Sequence, residues 1–265
     1  MDKWHFRLET KKPRLNKPLL IEGMPGIGNV GKIVVDFLID SLNAVKLYDV
    51  FSYSMPNSVF INDNNLIELP GIEVYYKKFN NKAKRDLLLL TGDVQPIDER
   101  ASYSFSDSLI KVAKEYNVKD IVTLGGIGLN SIPKRPKVYC TGTSTAVVKR
   151  FIKDTKLKPD IYGVVGSIFG ISGLLLGLAK RHKINAVSLL AETFGHPLYI
   201  GVPGARSLLK ELAKSISLDI NIKDFNKDVK SLESDVAKKA KELSEIEKLI
   251  SSAKQKQVKD TNYIG

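Results

Sequence analysis

The chain has 265 residues, of which 43% are hydrophobic and 26% charged, so it can bury a sizeable core and has the composition of a globular protein. Its formal net charge of +12 is compatible with a nucleic acid, an anionic membrane surface or an acidic protein as partner, and selects none of them. The single Cys140 excludes an intramolecular disulfide and a cysteine-cluster zinc site. Because the charged N-terminus also lacks the apolar core of a signal peptide, we expect a cytoplasmic protein.

The N-terminal part of the sequence predicts a strand, a glycine loop and a helix. Residues 4–8 alternate and predict an edge strand. The apolar run 18–21 predicts a buried strand, and apolar residues recur at helical spacing over 33–42. The glycine-rich loop 22–32 lies between that strand and that helix. Such loops often bind phosphate in α/β proteins, because the first N–H groups of the helix have no intrahelical partner.

Two interpretations of this loop remain open. Residues 26–31 read G-x-G-x-x-G, as in dinucleotide binding, and Asp49 at the end of the next strand lies where a ribose-binding acid is expected. A P-loop would need Ser or Thr where Ile33 stands, and Pro25 removes one backbone donor. The glycines equally permit a tight turn and close packing of helix on strand. We interpret the loop as structural, with a possible ligand role, through Gly23, Pro25, Gly26, Gly28 and Gly31.

The middle of the chain predicts alternating strands and helices. The apolar runs 86–91 and 120–124 predict central strands covered on both faces, each ending in a glycine turn. Residues 67–69 and 72–79 predict a hairpin around Pro70 and Gly71. Further strands are predicted at 44–53, 138–141, 161–165 and 186–191, and helices at 102–116, 144–153, 174–182 and 205–216. This alternation predicts a three-layer α/β/α fold with a mostly parallel central sheet.

The uncharged stretch 161–179 has the minimum length of a membrane span. It contains two G-x-x-x-G spacings, which also occur in packed membrane helices. Five glycines and two serines interrupt it, however, and it begins with a strand-like segment. A strand, a glycine turn and a buried helix account for it better, so we expect no membrane partner.

The composition changes after residue 204, and we predict an α/β core at 1–204, a helical segment at 205–250 and a flexible tail at 251–265. A long helix is predicted from about 224 to 250, with no Gly or Pro. Its apolar residues alternate at spacings of three and four, which is typical of a coiled-coil seam, and Lys239 occupies the one seam position that is not apolar. The seam residues are Phe225, Val229, Leu232, Val236, Leu243, Ile246 and Ile250. We favour self-association through this seam, because packing onto the chain's own core would need a wider apolar face.

No catalytic or metal-binding constellation is recognisable in the sequence. His5, His182 and His196 are scattered, and no pair has the spacing of metal ligands. Glu192 and Asp93 each follow a predicted strand, but a single acid is weak evidence for a site, and we expect both to cap helices or bind backbone in turns. We therefore expect neither a metal nor a cofactor.

Basic clusters lie at 82–85, 134–137, 149–153 and 180–183. They are not interleaved with aromatic residues, and no known nucleic-acid module is recognisable. We interpret them as solvated loops and helix ends rather than as a nucleic-acid surface.

Several motifs, taken together, resemble the proteasome assembly chaperone family in its archaeal form. The resemblance extends over about residues 15–215, and its most specific motif is the glycine loop. The motifs are Glu22–Lys32, Gly92–Pro96, Leu124–Gly128, Gly163–Gly177, Ala191–Thr193 and Val202–Ala205. The resemblance implies a nucleoside-phosphorylase-like α/β/α core and a homo-oligomeric, non-enzymatic chaperone that binds α-subunits of the proteasome core particle.

The resemblance also implies a role for the C-terminal tail. Proteasome-binding tails of this type place a Tyr ring and the terminal carboxylate in pockets between α-subunits. Here the corresponding residues are Tyr263, Ile264 and Gly265, with Tyr263 third from the end rather than second. We therefore expect the tail to contact the α-ring. The alternative is a nucleotide- or nucleoside-binding enzyme that uses the loop from Gly26 to Gly31.

Overall fold

A computed structural model describes residues 4–81, 83–161 and 163–229 of the chain. Among these residues, eight strands form one sheet and two more form a small hairpin. The strands are β1 (His5–Leu8), β2 (Leu19–Glu22), β3 (Val45–Phe51), β4 (Phe60–Ile61), β5 (Ile67–Glu68), β6 (Ile72–Lys77), β7 (Leu87–Gly92), β8 (Asp120–Leu129), β9 (Val138–Gly142) and β10 (Asn185–Phe194). The helices are α1 (Val30–Ser41), α2 (Glu99–Glu115), α3 (Thr145–Ile152), α4 (Gly170–Arg181) and α5 (Val202–Ser215).

The sheet has a parallel centre and antiparallel flanks. Its strand order is β1-β3-β6-β7-β2-β8-β10-β9. The four central strands β7, β2, β8 and β10 are parallel to one another, whereas the outer pairs are antiparallel. β2 and β7 are buried along their whole length, as expected for strands covered on both faces. The predicted α/β fold with a mostly parallel central sheet is confirmed.

Helices cover the two faces of the sheet as pairs. Leu88 and Leu90 of β7 pack in one apolar cluster with residues of α2 and α4. Thr91, the residue after Leu90, points to the opposite face of the sheet. It donates its hydroxyl to Asp36 of α1 over 2.6 Å, so α1 covers that face. α5 packs beside α1 and against β10. α2 begins at a cap, where the Asp98 carboxylate accepts from the Ala101 N–H.

Two local predictions were wrong. β5 pairs with β4 rather than with β6, because the Asn62 side chain accepts from the N–H groups of Asn64 and Leu66 and closes a turn there. Residues 161–165 form no strand among the positions described. Their apolar residues Ile161 and Val165 instead pack as a loop against a small cluster at the end of the sheet, which explains the strand-like pattern.

The chain divides into two units, Met1–Ile222 and Lys223–Gly265. The first unit therefore extends past the predicted boundary at residue 204 and includes α5. In the second unit, the described residues are helical up to 229, and the side chains of Phe225 and Val229 are buried. The other seam positions, from Leu232 to Ile250, and the tail with Tyr263, Ile264 and Gly265 lie outside the described residues.

Candidate functional site

A crevice opens at the carboxyl ends of the parallel strands. β8 pairs with β10 over all ten of its residues, but with β2 only from Asp120 to Thr123. Beyond Thr123, one edge of β8 faces the glycine loop and the start of α4 instead of a strand. The cavity there has a volume of about 470 Å³. Open α/β sheets bind ligands at this edge, where neighbouring strands send their connections to opposite faces.

The glycines of the loop have different roles. A Cβ atom on Gly23 would lie 2.3 Å from the carbonyl oxygen of Gly31, and one on Gly31 would lie 2.4 Å from that of Leu124. These two glycines therefore allow α1 to approach β8 closely. Gly28 has a φ of +63°, in the left-handed region that glycine tolerates. Gly26 has no heavy atom within 4 Å of an added Cβ, and it lines the crevice.

Glu22 lies fully buried beside this crevice. Its Oε1 accepts the backbone N–H of Met24 over 3.0 Å and the Ser172 hydroxyl over 3.2 Å, and both of these residues line the cavity. Its Oε2 has no hydrogen-bond partner among the described residues. Burial raises the pKa of Glu22 to about 7, although the bonds from Met24 and Ser172 act to lower it.

Glu22 is the first of three polar side chains in a row across the sheet. The register places Glu22 of β2 beside Thr123 of β8, and Thr123 beside Ser188 of β10. The hydroxyl oxygens of Thr123 and Ser188 are also buried without a partner in the part of the chain that the structure describes. Buried polar groups without a hydrogen-bond partner lower the stability of the folded state, so a row of three of them is an unusual feature of the core. Sequence reasoning missed it, because the alignment of residues across strands is not visible in any one strand.

The three acids considered in the sequence do not line the crevice among the described residues. β6 and β7 separate β3 from β2, so Asp49 is three strands away from the loop, where it pairs with Arg7 over 3.1 Å. Glu192 accepts the Lys137 N–H over 2.9 Å, and Asp93 accepts the Gly71 N–H over 2.9 Å. The expectation that Glu192 and Asp93 bind backbone is confirmed. Asp49 is therefore too far away to bind the ribose of a dinucleotide in this loop. That acid should lie at the end of a strand adjacent to β2, the strand that precedes the loop.

Charged side chains are absent from the crevice lining within the described residues. Lys32, the P-loop-like lysine, pairs instead with Asp36 over 3.0 Å. A phosphate bound in the crevice would thus have no lysine or arginine partner among the residues that line it. Over the same described ranges, no group of three or more His, Cys, Asp or Glu side chains could hold a metal. No described helix is long and apolar enough to cross a membrane.

The sheet order, the two helical layers and the glycine-lined crevice define an α/β/α protein of the doubly wound type. The chain belongs to the PAC2 family, whose model matches residues 20–240. It is similar to an uncharacterised protein of Methanocaldococcus jannaschii, with 29% identity over 252 residues that cover 95% of this chain and 93% of that protein.

Two solved structures of Pyrococcus furiosus proteins are also similar. PbaB, described as an archaeal proteasome activator, is 28% identical with a TM-score of 0.80, and the match covers 90% of this chain and 99% of PbaB. PbaA, described as an archaeal homologue of proteasome-assembly chaperone, is 22% identical with a TM-score of 0.71, and the match covers 98% of this chain and 99% of PbaA. At that identity the likeness to PbaA shows the fold alone. The family resemblance seen in the motifs is confirmed.

Proposed function

We propose that this chain is a non-enzymatic chaperone of the cytoplasm that binds α-subunits of the proteasome and promotes assembly of the core particle. The observation that carries the proteasome partner is the similarity to PbaB, an archaeal proteasome activator, which covers nearly all of both chains at a TM-score of 0.80. The fold shared with PbaA, described as a homologue of proteasome-assembly chaperone, supports the assembly role. Membership of the PAC2 family supports the same role.

An assembly assay tests this role directly. Purified α- and β-subunits are mixed with and without the full chain, and core particles are followed by native electrophoresis and peptidase activity. We expect faster or more complete assembly with the chain present. Assembly that is equally fast and complete without it would contradict the proposal.

We further propose that the C-terminal tail makes the contact with the α-ring, through Tyr263, Ile264 and Gly265. Deleting residues 259–265 should abolish capture of purified α-rings, and Tyr263→Ala should weaken it. Tyr53→Ala is the matched control, because Tyr53 is 93% exposed and lies in the α/β unit. If the tail-deleted protein captures α-rings as well as the full chain does, the contact lies elsewhere.

Self-association through the predicted seam would make such tails effective. Gathering several weak tails in one oligomer raises avidity through effective concentration, without new contacts. Leu243→Lys with Ile246→Lys should shift the mass in solution toward the monomer, as measured by light scattering after gel filtration. Ser234→Lys with Ser244→Lys is the matched control, because it adds the same charge at positions outside the predicted seam. Unchanged mass in the double variant would remove the seam from the oligomer interface.

A further inference from the structure

The crevice beside Glu22 has the size and chemistry of a small-molecule site. Its volume of about 470 Å³ falls within the usual range for such sites, roughly 300 to 1,000 Å³. Apolar side chains predominate in the lining, and Ile27 and the highly exposed Phe169 lie at its rim. Because the described lining carries no charged side chain, an anionic ligand would lose its hydration without gaining a counter-ion.

The floor of the crevice suits a flat ligand. Gly125 contributes no side chain, and only the Leu190 side chain lies within 4 Å of the position that its Cβ would take. Gly126 and Gly128 also line the cavity. Since β2 ends opposite Thr123, backbone groups of β8 beyond that residue that point away from β10 are not covered by a strand. A planar ring can therefore lie against the backbone and bond to its polar groups.

Ser172 supplies a hydrogen-bond acceptor of fixed direction. Its hydroxyl donates to Oε1 of Glu22, which also accepts from Met24. The hydroxyl proton is thereby committed to the wall, and the lone pairs of Ser172 Oγ remain for a donor in the crevice. Gln95, another polar side chain of the lining, is held by the Pro25 carbonyl and the Ile171 N–H. The geometry thus favours a ligand that donates an N–H.

We propose that this crevice binds a small uncharged planar heterocycle, of the nucleobase or nucleoside class, which donates an N–H to Ser172 and carries no phosphate. The proposal uses no residue of the tail, so it stands or falls independently of the proposed proteasome role. It also replaces the phosphate site suggested by the glycine pattern with a site for an uncharged ring.

Calorimetric titration of the full chain with adenine, adenosine and AMP tests the ligand class. We expect adenine or adenosine to bind and AMP to bind at least about tenfold more weakly, because its phosphate has no cation in the crevice. Equal or tighter binding of AMP would overturn the proposal. The absence of heat with all three compounds at millimolar concentration would also overturn it, even if an apolar peptide were found to bind the crevice.

Two variants locate the binding. Gly26→Leu should abolish it by filling the crevice, since nothing lies within 4 Å of a Cβ there and the backbone is extended. Gly177→Leu is the matched control, because that glycine of α4 is equally open but does not line the cavity. Ser172→Ala should weaken binding about fivefold, the usual effect of one hydrogen bond, whereas Ser215→Ala should not. Wild-type affinity in Gly26→Leu would place the ligand elsewhere and overturn the assignment.

Discussion

Two carboxylates are buried in the adjacent strands β2 and β8, at opposite ends of these parallel strands, and their surroundings differ completely. Asp120 begins β8, and its oxygens pair with Arg85 over 2.5 Å and with Arg150. Glu22 ends β2, and its bonds recorded in the described chain come from a backbone N–H and a serine hydroxyl. Among the described residues, Asp120 is compensated by two cations, whereas Glu22 has no cation beside it.

The amino ends of the parallel strands, with Asp120, therefore have a structural role, whereas their carboxyl ends, with Glu22, form the candidate binding site. Two arginines bind Asp120 and thereby tie the start of β8 to the residues before β7 and to α3. Among the described residues, the charge of Glu22 would be stabilised by two neutral donors and by no cation, and burial raises its pKa to about 7. A ligand near Asp120 would meet charged guanidinium groups, whereas the described lining of the crevice beside Glu22 carries no charged side chain.

Removing the compensated acid should cause the largest loss of stability. Asp120→Ala leaves two arginines near the sheet without their carboxylate, and we expect it to lower the free energy of unfolding by about 3 kcal/mol, because both arginine side chains are partly exposed and can be hydrated. Urea denaturation measures this loss. Asp160→Ala, at an exposed position, should change stability by less than about 0.5 kcal/mol. Similar losses in both variants would show that the Asp120 network contributes little.

Glu22, the acid without a cation beside it in the described chain, should make the free energy of unfolding depend on pH. Because the folded-state pKa of Glu22 is raised from 4.5 to about 7, its protonated form favours folding. Its contribution is fully present below about pH 4.5 and is lost as pH rises through about 7, a change of about 3 kcal/mol. Glu22→Gln should therefore match the wild type near pH 5 and be more stable by up to that amount at pH 8.

Denaturation of wild type and Glu22→Gln at both pH values checks this, since titrations common to both proteins cancel in the difference. Glu99→Gln, at an exposed position in the first turn of α2, is the matched control and should show no such divergence. A difference between Glu22→Gln and wild type that does not vary with pH would mean that Glu22 titrates normally.

The close approach of α1 to β8, which shapes the crevice, can be tested at a single glycine. Gly31→Ala would place a methyl 2.4 Å from the Leu124 carbonyl oxygen, so we expect it to cost about 2 kcal/mol through displaced backbone. Gly26→Ala in the same loop has open space and should cost little. Equal thermal stability of the two variants would contradict the packing role of Gly31.

These contrasts show which features a sequence can reveal. The apolar run before Gly92 predicts a central strand, because burial on both faces leaves a local pattern. The position of Asp49 could not be predicted in this way, since strand order depends on pairing between distant segments, and β3 lies beside β1 and β6 instead of β2. The row from Glu22 to Ser188 needs the register of three strands at once. The local roles of Gly23 and Gly31, in contrast, follow the expected close packing of helix on strand.

The smallest predicted effect concerns the single hydroxyl that joins Glu22 to the crevice. Ser172→Ala removes a hydrogen bond that lowers the pKa of Glu22, so that pKa should rise further. The loss of stability should be about 1 kcal/mol at pH 8, where the carboxylate is ionised, and smaller at pH 5. Carbon-13 NMR titration of the Glu22 carboxyl measures the first effect and denaturation the second. Ser167→Ala, which also lines the crevice, should change neither. If the two serine variants behave alike, Ser172 does not hold its proton toward Glu22, and its lone pairs have no fixed direction toward a ligand.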